Sequence, residues 1–309
     1  MTDSASFRSG FIALVGRTNA GKSTLVNALT GERVSITSSK AQTTRNKIRG
    51  IVNRTNAQYV FIDTPGLHDW LKRTLNQVMI QAALSSLGDA DCVVMLIDAR
   101  HCMTKNGDIE EIESGLIDAL KKVNKPAILA INKLDMLNDP AKILPIIAKY
   151  SEAYPFTDIV AISARKKREF DTLLNCIAKN LPEQQALYPE DLYTDQSERF
   201  LASETIREVI YYQMNRELPY SAAVEIDDFK SMRDRGRIEI KATIYVERES
   251  QKAIFVGKHG AQIKALGIAA REKLAHVLDA NIQLELVVKV KEEWSENIKN
   301  LREFGLSDQ

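Results

Sequence analysis

The sequence predicts an α/β domain with a mostly parallel sheet, followed by a smaller α+β domain. Three observations predict this. From Phe11 to about Leu181, short apolar runs alternate with helical stretches, the pattern of strands covered by helices on both faces. The first run leads into Gly16-Arg-Thr-Asn-Ala-Gly-Lys-Ser23, a glycine-rich turn between a strand and a helix. Beyond residue 220, apolar and polar residues alternate strictly, which gives strands with one buried and one wet face.

In the first domain the apolar runs predict strands at 11–15, 48–53, 58–62, 92–98, 126–131 and 158–162. Arg54-Thr-Asn-Ala57 is a short polar turn, so the second and third strands form a hairpin and make one edge antiparallel. Leu181–Asp195 is polar, carries Pro182 and Pro189, and reads as an ordered linker. The expected division is therefore a domain at 1–181, a linker at 182–196, a second domain at 197–291 and a tail at 292–309. The second domain opens with helical periodicity over Ser197–Asn215 through Leu201, Ile206, Val209 and Ile210. Its strands run through Ala222 to Ile226, Ile238 to Val246 and Ile282 to Val290. Between the last two lie a helix at Gln251–Val256, the turn Gly257-Lys-His-Gly260, and a helix from Ala261 to about His276.

The chain has 309 residues, a hydrophobic fraction of 44%, a charged fraction of 27% and a net charge of +1. It is not a polycation, so any nucleic-acid surface must be local. From Phe229 to Lys273 there are eleven Lys/Arg and five Asp/Glu, a local excess around the Gly-x-x-Gly turn that favours phosphate contact. Cys92, Cys102 and Cys176 lack Cys-x-x-Cys spacing and read as reduced cytosolic thiols. His68, His101, His259 and His276 form no metal-ligand cluster in sequence. No apolar leader, presequence or run of about 20 apolar residues appears, so a bacterial cytoplasmic protein is expected.

The chemistry begins at the glycine-rich turn. Gly16, Arg17, Thr18, Asn19, Ala20, Gly21, Lys22, Ser23 and Thr24 would present backbone amides and a helix N-terminus to a phosphate chain. The helix itself can start at the Ser23 hydroxyl. Lys22 would reach the outer phosphates and Ser23 would offer its hydroxyl to Mg²⁺. Asp63, at the end of the third apolar run, can hold Mg²⁺ through water. In the following Thr64, Pro65 and Gly66, the Gly66 N–H can sense the γ-phosphate. Asn132, Lys133, Leu134 and Asp135 follow another apolar run. The Asp135 carboxylate can accept two hydrogen bonds from guanine, whereas adenine lacks that donor pair. The Lys133 stem would cover the base, Asn132 would tie this loop to the phosphate loop, and an amide of Ser163-Ala164-Arg165 would meet guanine O6. The polar segment Ser35–Arg45 supplies a further Mg²⁺ ligand in the GTP state. Thr44 is favoured, and Thr43 stays open.

These motifs, in this order, resemble the translation-factor-like branch of P-loop GTPases. The second domain resembles a type II KH domain, which clamps single-stranded RNA at its Gly-x-x-Gly loop. Here Gly257, Lys258, His259, Gly260 and Lys264 would make that contact. One such GTPase domain, then Tyr188-Pro-Glu-Asp191, then this KH domain resembles the Era family of bacterial ribosome-assembly GTPases. Gln42-Thr-Thr-Arg45 and Val256-Gly-Lys-His-Gly-Ala-Gln-Ile-Lys264 carry the resemblance too. It implies binding of GTP and GDP, Mg²⁺-dependent hydrolysis, and binding to the 3′ end of 16S rRNA and the 30S subunit during its maturation. It also implies peripheral association with the inner membrane. A monomer is expected. The alternative reading keeps the GTPase and gives the C-terminal domain a protein or membrane partner. Lys22, Thr44 and Gly66 are the expected catalytic set. Leu67 stands where many GTPases place a water-orienting Gln, so a slow unaided rate is expected, on the order of 10⁻³ s⁻¹ or below. Asn19 resembles the asparagine with which some relatives hold K⁺. The alternative is that it only braces the loop.

Overall fold

A computed structural model describes residues 6–37, 40, 43–67, 74–105, 107–232 and 236–306. Gln42, His68, Arg233, Asp234 and Arg235, all used in the sequence reading, lie outside the described residues. The chain forms two compact units. The first holds the described residues up to Ser35, those from Thr44 to Leu67, and Met79–Asp195. The second gathers the described residues from Gln196 onward with the described residues of two earlier stretches, 36–43 and 74–78.

The first unit is a six-stranded sheet of β1 (Arg8–Val15), β2 (Ile48–Arg54), β3 (Ala57–Asp63), β4 (Cys92–Asp98), β5 (Ala127–Asn132) and β6 (Asp158–Ala161). Its order is β2-β3-β1-β4-β5-β6. Only the β2–β3 hairpin is antiparallel. The helices are α1 (Lys22–Thr30), α2 (Thr74–Asp89), α3 (Ala99–Thr104), α4 (Glu111–Val123), α5 (Leu144–Ala153) and α6 (Phe170–Lys179). The central strands are buried on both faces, which is why they read as continuous apolar runs rather than as alternation. On α4, Ile112, Leu116, Ile117 and Leu120 share one face. They pack into the same core as Met95 and Leu129, each such burial being worth about 1.5–3 kcal/mol.

β1 starts three residues before its predicted start. Its first residues, Arg8 and Ser9, are polar yet pair with Ala57 and Gln58 of β3. Their side chains are satisfied locally: Arg8 Nη1 donates to the Ala178 carbonyl at 3.1 Å and Ser9 Oγ to the Gln185 carbonyl at 2.6 Å. The linker residues lie along this unit in the same way. Gln58 Oε1 accepts the N–H groups of Leu187 and Tyr188, and the Ile51 N–H donates to the Tyr193 carbonyl at 2.9 Å.

The second unit contains α7 (Glu198–Gln213), β7 (Ala223–Met232), β8 (Arg237–Val246), α8 (Glu249–Val256), α9 (Ala261–Val277), β9 (Asn281–Val290) and α10 (Ile298–Glu303). The sheet order is β7-β8-β9, antiparallel then parallel. The alternating Ile238, Ile240, Ala242, Ile244 and Val246 are buried with Ile206, Ile210, Leu266 and Leu274 of α7 and α9. Residues past β9 fold onto the same unit. Trp294 is fully buried, its indole N–H donates to the Ser221 carbonyl at 3.0 Å, and its ring meets Phe304 edge-on at 5.4 Å.

Candidate nucleotide and RNA sites

The phosphate loop connects β1 to α1. The helix starts at Lys22 rather than at the Ser23 hydroxyl, with Gly21 as a left-handed N-cap and no side-chain cap. A hydroxyl cap would consume a first-turn amide. Here those amides remain for an anion, and the Ser23 hydroxyl instead lies 2.9 Å from that of Thr44. The backbone φ of Gly21 is 103°, and a Cβ there would sit 2.3 Å from the Asn132 amide nitrogen. Glycine is therefore required on two counts. Asn19 is also left-handed, at φ 63°.

Lys22 is buried, and its ammonium donates to the Gly16 and Arg17 carbonyls, both at 3.0 Å. Burial lowers its pKa to about 8 against the opposing pull of Asp63. Asp63 is fully buried. Its Oδ2 accepts from Ser35 Oγ at 2.8 Å, while Oδ1 has no hydrogen-bond partner among the described residues. Burial raises the Asp63 carboxyl above its ordinary range, and Lys22, Ser23, Ser35 and Thr44 pull the other way. A buried carboxylate oxygen without a partner is costly unless something arrives to meet it. Hydroxyl and carboxylate oxygens grouped here suit a hard cation such as Mg²⁺.

Thr64 turns its hydroxyl back to the Leu14 carbonyl at 2.6 Å. After Pro65, Gly66 passes so close to the phosphate loop that a Cβ would meet the Thr18 Cα at 2.7 Å. The Leu67 N–H then donates to the Gly16 carbonyl at 3.2 Å, and the Thr18 N–H to the Leu67 carbonyl at 3.0 Å. The Leu67 side chain is buried in the core shared by α2 and α4. Of the two threonines, Thr43 gives its hydroxyl to the Lys40 carbonyl at 2.7 Å, leaving Thr44 as the one that approaches Ser23.

The base-side loops are tied together. Asn132 Nδ2 donates to the Ala20 carbonyl at 2.8 Å, and its Oδ1 accepts the Ala164 N–H at 2.9 Å. Asp135 sits in the 3₁₀ turn Leu134–Met136, and its Oδ1 accepts from Ser163 Oγ at 2.6 Å. Lys133 is left-handed at φ 69°, and its ammonium donates to Asp98 Oδ2 at 2.6 Å. Asp98, the contact of Ser35 with Asp63, and the Arg17 partner Glu110, at 2.6 Å, escaped the sequence reading. Their partners lie 35, 28 and 93 residues away, so no local motif marks them.

In the second unit, Gly257 takes φ 71°, and a Cβ there would meet the Gln262 backbone nitrogen at 2.9 Å. His259 is left-handed at φ 51°, and Gly260, at φ 77°, caps α9 without a side-chain bond. Lys258, His259 and Lys264 are exposed. The surrounding positive charge is less free than its count suggests. Lys230, Arg237, Lys241, Lys252 and Lys273 each face a carboxylate. Among the described residues, no ion pair is recorded for Lys258 or Lys264.

A family model described as 50S ribosome-binding GTPase matches residues 11–133, and one described as KH domain matches 217–295. The chain is 46% identical over 299 residues to GTPase Era of Geobacter metallireducens, covering 97% of this chain and 98% of that protein. It is 43% identical over 299 residues to GTPase Era of Yersinia pestis, covering 97% and 96%. The chain belongs to the Era family of GTPases. Two solved Era structures are similar to it along nearly the whole chain. One holds MgGDPNP and nucleotides 1506–1542 of 16S ribosomal RNA, with TM-score 0.91, 38% identity, and coverage of 98% of this chain and 100% of that one. The other, a single-residue variant of Aquifex aeolicus Era bound to GDP and AlF4⁻, gives the same values. Era membership accounts for both halves at once: a P-loop GTPase domain and a C-terminal KH domain.

Proposed function

We propose that the chain hydrolyses Mg²⁺–GTP and uses the Gly257–Gly260 loop to hold the unpaired 3′ end of small-subunit rRNA during subunit maturation. The observation that carries the reaction is the buried Asp63, one oxygen orphaned, beside a Lys22 whose charge is destabilised by burial. Ser23, Thr44 and Asp63 would hold the Mg²⁺. When bound, it neutralises charge on the β- and γ-phosphates. Lys22 regains a counter-charge from the phosphates, the loop amides orient them, and the Gly66 N–H meets the γ-phosphate. Leu67 cannot orient the water, so the unaided rate stays on the order of 10⁻³ s⁻¹ or below. Asp135, held by Ser163, reads the guanine amide edge. Support for the RNA half comes from two glycines flanking the exposed Lys258 and His259 and from the rRNA held by the similar Era structure. The test is GTP turnover together with binding of a 3′-terminal 16S rRNA fragment. Preference for ATP, or indifference to that RNA in every nucleotide state, would refute the proposal.

Asn19 favours a second element of the reading. Its left-handed backbone lies in the phosphate loop, where a bound K⁺ could supply further charge. Equal hydrolysis rates in K⁺ and Na⁺ would remove K⁺ and leave Asn19 as a brace. A cytoplasmic monomer with peripheral contact to the inner membrane completes the proposal on family grounds. Among the described residues, no helix is long and apolar enough to cross a membrane. Vesicle flotation and sedimentation would test the contact and the monomer.

A further inference from the structure

The phosphate loop is gripped from outside by a side chain that its motif leaves unspecified. Arg17 follows the first glycine of Gly16-Arg-Thr-Asn-Ala-Gly-Lys-Ser23, where the pattern accepts any residue. Its guanidinium leaves the loop and meets the start of α4: Nη1 donates to Glu110 Oε2 at 2.6 Å and to Glu113 Oε2 at 3.4 Å. Glu110 is the N-cap of α4, yet its side chain makes no capping bond. The carboxylate turns to Arg17 instead of to the helix's own free amides. His101 Nε2 lies 2.6 Å from the same Glu110 oxygen, and Lys105 reaches the other at 3.2 Å. His101 is itself placed by Asp98, which caps α3 by accepting the N–H groups of Arg100 and His101 at 3.0 and 3.2 Å. Glu113 is only 3% exposed. Burial raises its carboxyl above the ordinary range, and Arg17 pulls it back. All of these residues lie in the first unit.

The backbone of Arg17 joins the loop to the groups that would face the γ-phosphate. Its carbonyl accepts the Lys22 ammonium at 3.0 Å and the Ala20 N–H at 3.3 Å. It also forms a parallel bridge with Leu67, the neighbour of Gly66. We propose that Arg17 is a positioning residue for GTP hydrolysis: clamped on Glu110 and Glu113, it sets where the Lys22 ammonium and the Gly66 N–H stand. Stability alone gives a weak account of the clamp. The Arg17 and Glu110 side chains are each 27% exposed, and pairs open to water contribute little. Glu110 keeps His101 and Lys105 without Arg17, and Glu113 sits in the first turn of α4, where the helix dipole favours an acid. A fixed arm from which both γ-facing groups are held gives a specific account. The inference rests on the reading of Lys22 and Gly66 given above.

The test uses the full chain. Arg17→Met combined with Glu113→Gln removes the guanidinium without leaving a buried carboxylate unmatched. Glu110→Gln weakens the other grip while Glu113 keeps its arginine. Arg17→Lys keeps the charge but not the fork, and Lys22→Ala runs beside them. Single-turnover hydrolysis, the affinities for GDP and for a non-hydrolysable GTP analogue, and melting temperature are measured. Lys22→Ala should slow hydrolysis roughly 100-fold. The Arg17/Glu113 double variant should slow it about tenfold, because a small misplacement of a reacting group is enough. It should also lower affinity for the GTP analogue about fivefold while affinity for GDP stays within about twofold. Glu110→Gln and Arg17→Lys should each slow hydrolysis about two- to fivefold. An unchanged rate in Lys22→Ala would remove the phosphate-site reading itself. Slow Lys22→Ala with a wild-type rate and a wild-type preference for the analogue over GDP in the double variant would overturn the inference alone. So would a double variant that loses stability and affinity for both nucleotides together, as a purely structural clamp would. Should the double variant not fold, wild-type rates in both Glu110→Gln and Arg17→Lys overturn the inference.

Discussion

The two ligand sites are built on opposite terms. At the nucleotide site, charge is buried: Lys22 and Asp63 are both pushed toward their neutral forms by burial. At the loop proposed to hold RNA, Lys258, His259 and Lys264 stand in solvent. The first arrangement stores unfavourable free energy that a phosphate chain and a cation release, so it discriminates strongly. The second stores none and relies on counterion release and backbone fit, so it should bind more weakly and depend more on salt.

The largest effect that would break this comparison is at the base. Asp135→Asn should weaken GTP binding by roughly 10³-fold and improve binding of xanthosine triphosphate, while RNA affinity stays unchanged. Competition with labelled nucleotide measures the first and filter binding the second. An unaltered GTP affinity would end the role given to Asp135. Next is Gly260→Asp, which places a carboxylate where phosphate should lie. RNA affinity should fall roughly 100-fold with GTP binding intact, and a variant that keeps its RNA affinity would refute the loop assignment.

A third effect sharpens the contrast through pH. Burial lowers the Lys22 pKa to about 8, whereas bound phosphates would favour the charged form. Binding therefore takes up a proton in this window. GTP affinity should fall as pH rises above 8, about tenfold per unit, toward the ordinary lysine value. Calorimetry in buffers of different ionisation enthalpy reports the proton directly, and the absence of uptake at pH 9 would contradict the burial argument. RNA affinity should show no comparable step. The smallest effects are Lys258→Ala and Lys264→Ala. Each should lower RNA affinity several-fold and reduce the slope of log affinity against log salt by about 0.7, as for one phosphate contact on a single strand.

How much could be read from the chain follows the same division. Gly16–Ser23, Asp63–Gly66, Asn132–Asp135 and Gly257–Gly260 are local patterns, each set by backbone that must approach something closely, and each lies at the junction the sequence indicates. The β7–β9 strands were legible because one face of each is wet. What escaped is long-range polar pairing. Ser35 on Asp63, Asp98 on Lys133 and Glu110 on Arg17 depend on the fold. The same holds for α7, whose apolar stripe was visible while the burial of Glu204, Arg207 and Glu208 was not. Periodicity registers only apolar burial. The local charge excess overstates the unpaired charge, because a count does not see that Lys230 or Lys241 already faces an acid.

The stretch from Leu187 to Thr194 has a consequence for solubility. β2 is the outermost strand of its sheet, and such a border is a template for another molecule's strand. Here the Ile51 N–H is taken by Tyr193, and the Arg49 carbonyl by the Thr194 hydroxyl at 2.7 Å. The connector thus acts as a selvedge, finishing the fabric so that it does not fray into a neighbour. A chain cut or loosened at this seam should clump at concentrations where the intact protein stays dispersed.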